Sequence, residues 1–189
     1  AIPVSAGTLS WDDESLPSTS SKILEGDVVT DMAIGPDGTT IYVTLANNKL
    51  YKSTNGGETW SSLTAPGTAA DLVSVAPDDT DMLVVVDNST QIVYVSTNGG
   101  SSFTSLGILA DGSDVEAANI NDATISRELS GKHYIGVAGD DDGGSASVHY
   151  FNWGATIPEL LDAANGTDWN GAIDTADTAL AVAFSPNFP

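Results

Sequence analysis

The densest chemistry in the sequence is one short run, Gly139-Asp140-Asp141-Asp142-Gly143-Gly144. Carboxylates crowded between glycines can offer several hard oxygen ligands to one cation, and Ca²⁺ takes about six to eight of them. Asp140, Asp141 and Asp142 are therefore the expected metal ligands, and calcium the expected cation. The run lacks the alternating acidic spacing and the closing Glu of an EF-hand loop, so a solvated acidic hairpin is the competing reading. Asp12-Asp13-Glu14 is a weaker version of the same case.

Other reaction chemistries are limited by counting. Across 189 residues there is no cysteine, which removes thiolate catalysis, disulfides and sulfur-ligated metals. The two histidines, His133 and His149, fall in strand-like segments with no acid–base partner apparent in the sequence. The 26 acidic residues face 5 Lys and Arg, giving a formal net charge of −21. Such a chain has no basic surface for phosphates, so nucleic acid is excluded as a partner. The longest apolar runs, such as MLVVV at 82–86, are far shorter than the roughly 20 residues of a membrane span, so membrane insertion is not expected. Asn88-Ser89-Thr90 and Asn165-Gly166-Thr167 are glycosylation sequons in expected loops, where a glycan could project; glycan as a bound partner belongs to the carbohydrate-binding alternative below.

The elements that must position these groups come from an internal repeat. Ser53-Thr54-Asn55-Gly56-Gly57-Glu58-Thr59-Trp60 recurs 43 residues later as Ser96-Thr97-Asn98-Gly99-Gly100-Ser101-Ser102-Phe103. Upstream, Ala33-Ile34-Gly35-Pro36-Asp37 matches Ser74-Val75-Ala76-Pro77-Asp78. Each unit reads strand, Pro-Asp turn, strand, loop, strand, Ser-Thr-Asn-Gly-Gly turn, short strand. A period of about 40–45 residues with four short strands is that of a β-propeller blade. The turn chemistry is physical: Asn bonds backbone two residues on, and glycine supplies positive φ without steric cost.

The repeated Ser-x-Asn-x-Gly-x-(Thr/Ser)-aromatic run resembles the Asp-box of bacterial neuraminidase repeats, with Asn55 and Asn98 in the Asp position and Phe103 in place of the second Trp. The resemblance covers about 28–107 well, 122–154 weakly and 179–189 as a stub. It implies an all-β fold, a partial or inter-chain-completed β-propeller of four-stranded Asp-box blades. Trp60 and Phe103 are then expected as packing plugs between blades, and the boxes as structural pins remote from any active site. Sialidase members of this family clamp their substrate with an arginine triad. Arg127 is the only arginine here, so that activity is not expected.

The resulting layout is a lead-in over 1–25, blades over 26–68 and 69–110, a degenerate blade over 111–154, an insertion over 155–177, and the start of a further blade over 178–189. Within the insertion, TIPELLDAANG reads as a short helix. The expected function is that of a non-catalytic extracellular or cell-surface structural protein, an array, sheath or filament component. Its partners are other copies of itself or the remainder of a longer chain. The alternatives are a carbohydrate- or protein-binding propeller, with Trp153 and Trp169 as exposed aromatics, or a fragment of a propeller glycoside hydrolase using paired carboxylates.

Overall fold

The computed structural model describes residues 28–108, 117–141, 146–154, 159–161 and 181–185. They form three four-stranded antiparallel sheets. The first holds β1 (Val29–Ile34), β2 (Ile41–Leu45), β3 (Lys49–Ser53) and β4 (Ser61–Leu63) in that order. The second holds β5 (Leu72–Ala76), β6 (Asp79–Asp87), β7 (Ile92–Ser96) and β8 (Thr104–Ile108). The third holds β9 (Ala117–Ile125), β10 (His133–Asp141), β11 (Ala146–Trp153) and β12 (Glu159–Leu161). The first strands sit side by side, β1 beside β5 and β5 beside β9, so the sheets stack face to face around that end.

The run Met82 to Val86 shows why the stack holds. Strand side chains alternate between faces, yet every residue here is apolar, so both faces of the second sheet must be buried. Leu83 and Val85 join Tyr42, Leu50 and Val73 in the core shared with the first sheet. Met82, Val84 and Val86 join Ile120, Ile125, Ile135, Val137 and Phe151 in the core shared with the third. Leu83, Val84, Val85 and Val86 are fully buried. Each such side chain contributes about 1.5–3 kcal/mol on leaving water.

The helix expected within 156–166 is a correction. Glu159, Leu160 and Leu161 are strand β12, pairing as Asn152↔Glu159, Phe151↔Leu160 and Tyr150↔Leu161. The outer edge of β11 offers unpaired N–H and C=O groups, and satisfying them overrides a weak local helix preference. The third sheet thus finds its outer strand inside the stretch read as an insertion. The rest of the helix candidate lies outside the described residues.

Residues 181–185 make against the third sheet the contact that β5 makes against the first. The Val182 N–H donates to Asp122 Oδ2 at 2.8 Å, as the Val73 N–H donates to Asp31 Oδ2 at 2.9 Å. The sequence match is Ala183-Phe184-Ser185-Pro186 on Ala33-Ile34-Gly35-Pro36. Gly136 leaves room for the incoming ring: a methyl there would lie 3.3 Å from Phe184.

Candidate interaction surface

The two repeated turns are built from the same five hydrogen bonds. In the first, Ser53 Oγ donates to Asn55 Oδ1 at 2.9 Å and accepts from the N–H groups of Asn55 and Gly57 at 3.3 and 2.9 Å. Asn55 Oδ1 also accepts the Thr59 N–H at 3.0 Å, and its Nδ2 donates to Thr59 Oγ1 at 3.0 Å. In the second, Ser96, Asn98, Gly100 and Ser102 repeat each bond within 0.2 Å. With Asn in the Asp position the amide Nδ2 is the donor to the hydroxyl of Thr59 or Ser102; a carboxylate there would instead accept from that hydroxyl, as Asp37 does from Thr40. Gly56 and Gly57 stand at φ 71 and 94, which only glycine adopts without strain.

The second turn is docked against the first sheet. Lys52 Nζ, on β3, reaches Gly99 O and Asp81 Oδ1, each at 3.4 Å, whereas the Gly99 N–H stays within its own sheet on Asp81 O, as the Gly56 N–H does on Thr39 O. Tyr42 OH donates to Thr80 O at 2.9 Å. Phe103 is half-buried and packs on the core between the first and second sheets. Trp60 is also half-buried, but it packs on Val43, Leu45 and Tyr51, on the face of the first sheet turned away from the second.

That face is open along β1. Met32 and Ile34 pair with Val43 and Ile41, so all four share it. Met32 is 54% and Ile34 55% exposed, with Val28 and Val29 exposed beside them. Val28, Val29, Met32 and Ile34 thus form a contiguous apolar edge.

Three carboxylates fix the loops, Asp87 buried and Asp37 and Asp78 exposed. Asp87 is fully buried and accepts from the N–H groups of Thr68, Ala69, Ser89 and Thr90 and from the hydroxyls of Thr68 and Ser89. Burial pushes its pKa up, but the Ser89 and Thr68 bonds outweigh it and hold it at about 2. Asp37 is likewise held at about 2 by the Thr40 N–H and hydroxyl and the Thr39 N–H. Asp78, its counterpart in the second sheet, instead reaches the third. It takes the Glu128 N–H on Oδ2 and lies 3.1 Å from His133 Nε2 on Oδ1. Burial raises the Asp78 pKa, and these two partners lower it further than burial raises it.

The residues singled out in the sequence fall as follows. Asp140 and Asp141 lie within β10, not in a turn, paired with Asn119 and Ala117. Asp142 lies outside the described residues. Among the described residues no three His, Asp or Glu side chains gather as a metal-binding group. His149 is buried on β11, and His133 finds an acidic partner 55 residues away in Asp78. Trp153 is half-buried against the core of the second and third sheets rather than displayed as a platform. Trp169 and Asn165 lie outside the described residues.

Asn88 was missed as a structural group. Its Nδ2 donates to Ile120 O and its Oδ1 accepts the Ile120 N–H, both at 2.9 Å. The side chain thus imitates a strand partner for β9. Its sequon spacing hides this role, because the bonding partner lies 32 residues on.

No protein-family model matches the chain, and no curated protein matches it. Solved structures do. A nidogen/laminin complex matches with a TM-score of 0.52 at 14% identity, over 71% of this chain and 48% of that one. U3-55K matches with a TM-score of 0.50 at 13% identity, over 74% and 40%. The fold is a β-propeller. Its sheets are blades, and the chain spans less than half the length of these structures. A GH74 enzyme from Niastella koreensis also matches, with a TM-score of 0.49 at 18% identity over 71% of this chain and 22% of that one; nothing about activity follows from it. At such identities the likeness establishes fold alone.

Proposed function

We propose that this chain is a non-catalytic structural or interaction protein of the extracellular space or cell surface, built from Asp-box blades and working through protein–protein contacts. The observation that carries this reading is the exposed β1 edge of the first blade's outer face, where Met32 and Ile34 stand more than half exposed while Val43, Leu45 and Tyr51 on the same face are buried. A propeller blade buries both faces against neighbours, so this one is shaped for a further blade. The occupant is another copy of the chain or the remainder of a longer one. The carboxylates of Asp37, Asp78 and Asp87 are engaged by backbone and hydroxyl donors, which supports a structural rather than an acid–base role. The net charge of −21 suits an exposed, salt-bathed surface.

Sedimentation of residues 1–189 over a concentration series tests it. Self-association is expected, and Met32→Asp with Ile34→Asp should abolish it. A monomer at every concentration, with Met32 protected from hydroxyl-radical oxidation, would overturn the reading. We further propose that the segment Asp140–Asp142 binds calcium. It predicts a higher melting temperature in millimolar calcium than in EDTA, and equal values would remove it.

A further inference from the structure

A groove of about 510 Å³ opens where the ends of β5 and β9 meet residues 183–185. Its walls are mostly apolar, formed by Val75, Pro77, Ile125 and Phe184, and two charged residues, Asp78 and Arg127, complete them. The volume lies in the range of ligand sites, about 300–1,000 Å³. Asp78 is already engaged on both oxygens, by the Glu128 N–H and by His133. Arg127 is not. The described ion pairs are Lys52–Asp81 and His133–Asp78, and the only arginine of a chain with 26 acidic residues belongs to neither.

The backbone around Arg127 is nonetheless fixed from both sides. Ser126 is buried; its Oγ donates to Arg127 O at 2.7 Å and accepts the Tyr134 N–H at 2.8 Å. On the other side Asp78 holds the Glu128 N–H. An exposed guanidinium is therefore carried on an anchored peptide at the edge of an apolar groove, with its hydrogen-bonding fork open. A fork of this kind suits a carboxylate, which it can grip with two parallel bonds.

We propose that this groove binds an extended acidic–apolar segment of a partner protein. An aliphatic or aromatic side chain lies between Pro77 and Phe184, and a neighbouring Glu or Asp carboxylate rests on Arg127. The site is separate from the open face of the first blade, and either can fail without the other. The charge of the rest of the molecule opposes an acidic ligand, and so does Asp78 in the groove itself; distant charge is screened beyond about 8 Å at physiological salt, and the Asp78 carboxylate is turned to the Glu128 N–H and His133, which leaves the Arg127 fork for the ligand.

The test uses the ¹⁵N-labelled chain and two blocked tripeptides, leucine–glutamate–leucine and leucine–glutamine–leucine. The glutamate peptide should shift the amides of Thr124 to Arg127 and Ala183 to Ser185. The glutamine peptide should bind roughly tenfold more weakly, the loss of one charge-assisted pair. Arg127→Gln should erase that difference, and Phe184→Ala should weaken both peptides alike. Equal binding of the two peptides by the unaltered chain would overturn the proposal, as would a difference that survives Arg127→Gln. Groove shifts that grow with protein concentration in the absence of peptide would assign the groove to a second copy instead. Should Arg127→Gln misfold, the peptide pair on the unaltered chain decides alone.

Discussion

The first and second blades carry the same Ser-x-Asn-Gly-Gly turn with the same internal bonds, yet one turn is docked and the other faces outward. Gly100 meets Leu63 of the preceding blade, and Gly99 meets Lys52 and Asp81. Gly57, at the matching position, meets only Trp60 and Ile41 of its own blade. The turn's shape is therefore a local property, set by Ser53 and Asn55 or Ser96 and Asn98. Its docking is supplied by a neighbour. A second contrast sits at one register position. Counting from the strand residue opposite the box serine, Leu45 in the first blade corresponds to Asp87 in the second. Both are fully buried. Leu45 faces the apolar cluster under Trp60, whereas Asp87 gathers two loops.

Removing Asp87 should break this contrast most severely. Asp87→Ala removes the shared acceptor of the Thr68, Ala69, Ser89 and Thr90 N–H groups, of which only the Ala69 group is deeply buried, at a cost of about 3–5 kcal/mol for the set. Leu45→Ala should cost about 2–5 kcal/mol through a cavity alone. Urea denaturation distinguishes the two mechanisms by pH. The Asp87 pKa is depressed from an ordinary 3.8 to about 2, so its contribution is present above about pH 4 and is lost as pH falls toward 2. That contribution is on the order of 2 kcal/mol. Leu45→Ala should keep this acid-sensitive step, and Asp87→Ala should lose it. Parallel pH profiles for the two variants would contradict the assignment.

A smaller difference is expected between the two turns. Gly57→Ala and Gly100→Ala each place a side chain at positive φ, costing about 1–2 kcal/mol. At Gly100 the new methyl would also come within 2.5 Å of Leu63 Cδ1, whereas at Gly57 the nearest atom, on Trp60, is 3.5 Å away. Moving Leu63 should add about 1 kcal/mol. Leu63→Ala in the Gly100→Ala background should recover that increment, and thermal melts of the three variants would show it. Equal losses at the two glycines would mean that the docked and outward-facing turns are energetically alike.

These contrasts also mark what the sequence could reveal. The repeated Ser-x-Asn-Gly-Gly turns, the strand order and the two-faced burial of Met82 to Val86 depend on neighbours in the chain and on a fixed period, so they are legible. The bonds that join blades are not. Asp37 caps its own turn through Thr39 and Thr40, while Asp78, in the same Pro-Asp context, reaches Glu128 and His133 in the next blade. Nothing in the spacing separates the two acids; the difference comes from which blade packs beside them. Asn88 is hidden for the same reason, and β12 because the free edge of β11 decides its conformation. Arg127 was legible as the lone arginine, but its seat beside a groove depends on Ser126, Asp78 and Phe184 converging from distant positions.

The smallest effect expected is that of Lys52, which ties the docked turn to the first blade. Its Nζ lies 3.4 Å from Asp81 Oδ1 and 5.2 Å from the centre of the Tyr42 ring. The lysine side chain is 20% exposed but Asp81 is 58% exposed, so solvent screens the pair. An ion pair of this kind contributes about 0.2–1 kcal/mol. Lys52→Met keeps most of the apolar stem and removes the charge, the contact with Gly99 O and the attraction to the ring. A double-mutant cycle with Asp81→Asn isolates the ion pair, because Asp81 touches neither the ring nor Gly99 O through its carboxylate. The coupling should be about 0.5 kcal/mol at low salt and should fade toward zero at about 1 M salt, where the screening length is about 3 Å. What survives at high salt in Lys52→Met alone is the ring and carbonyl share. A coupling that stays constant with salt would place the pair in a drier seam than its exposure implies, and the docked turn would then be held more by charge than by the packing of Leu63 on Gly100.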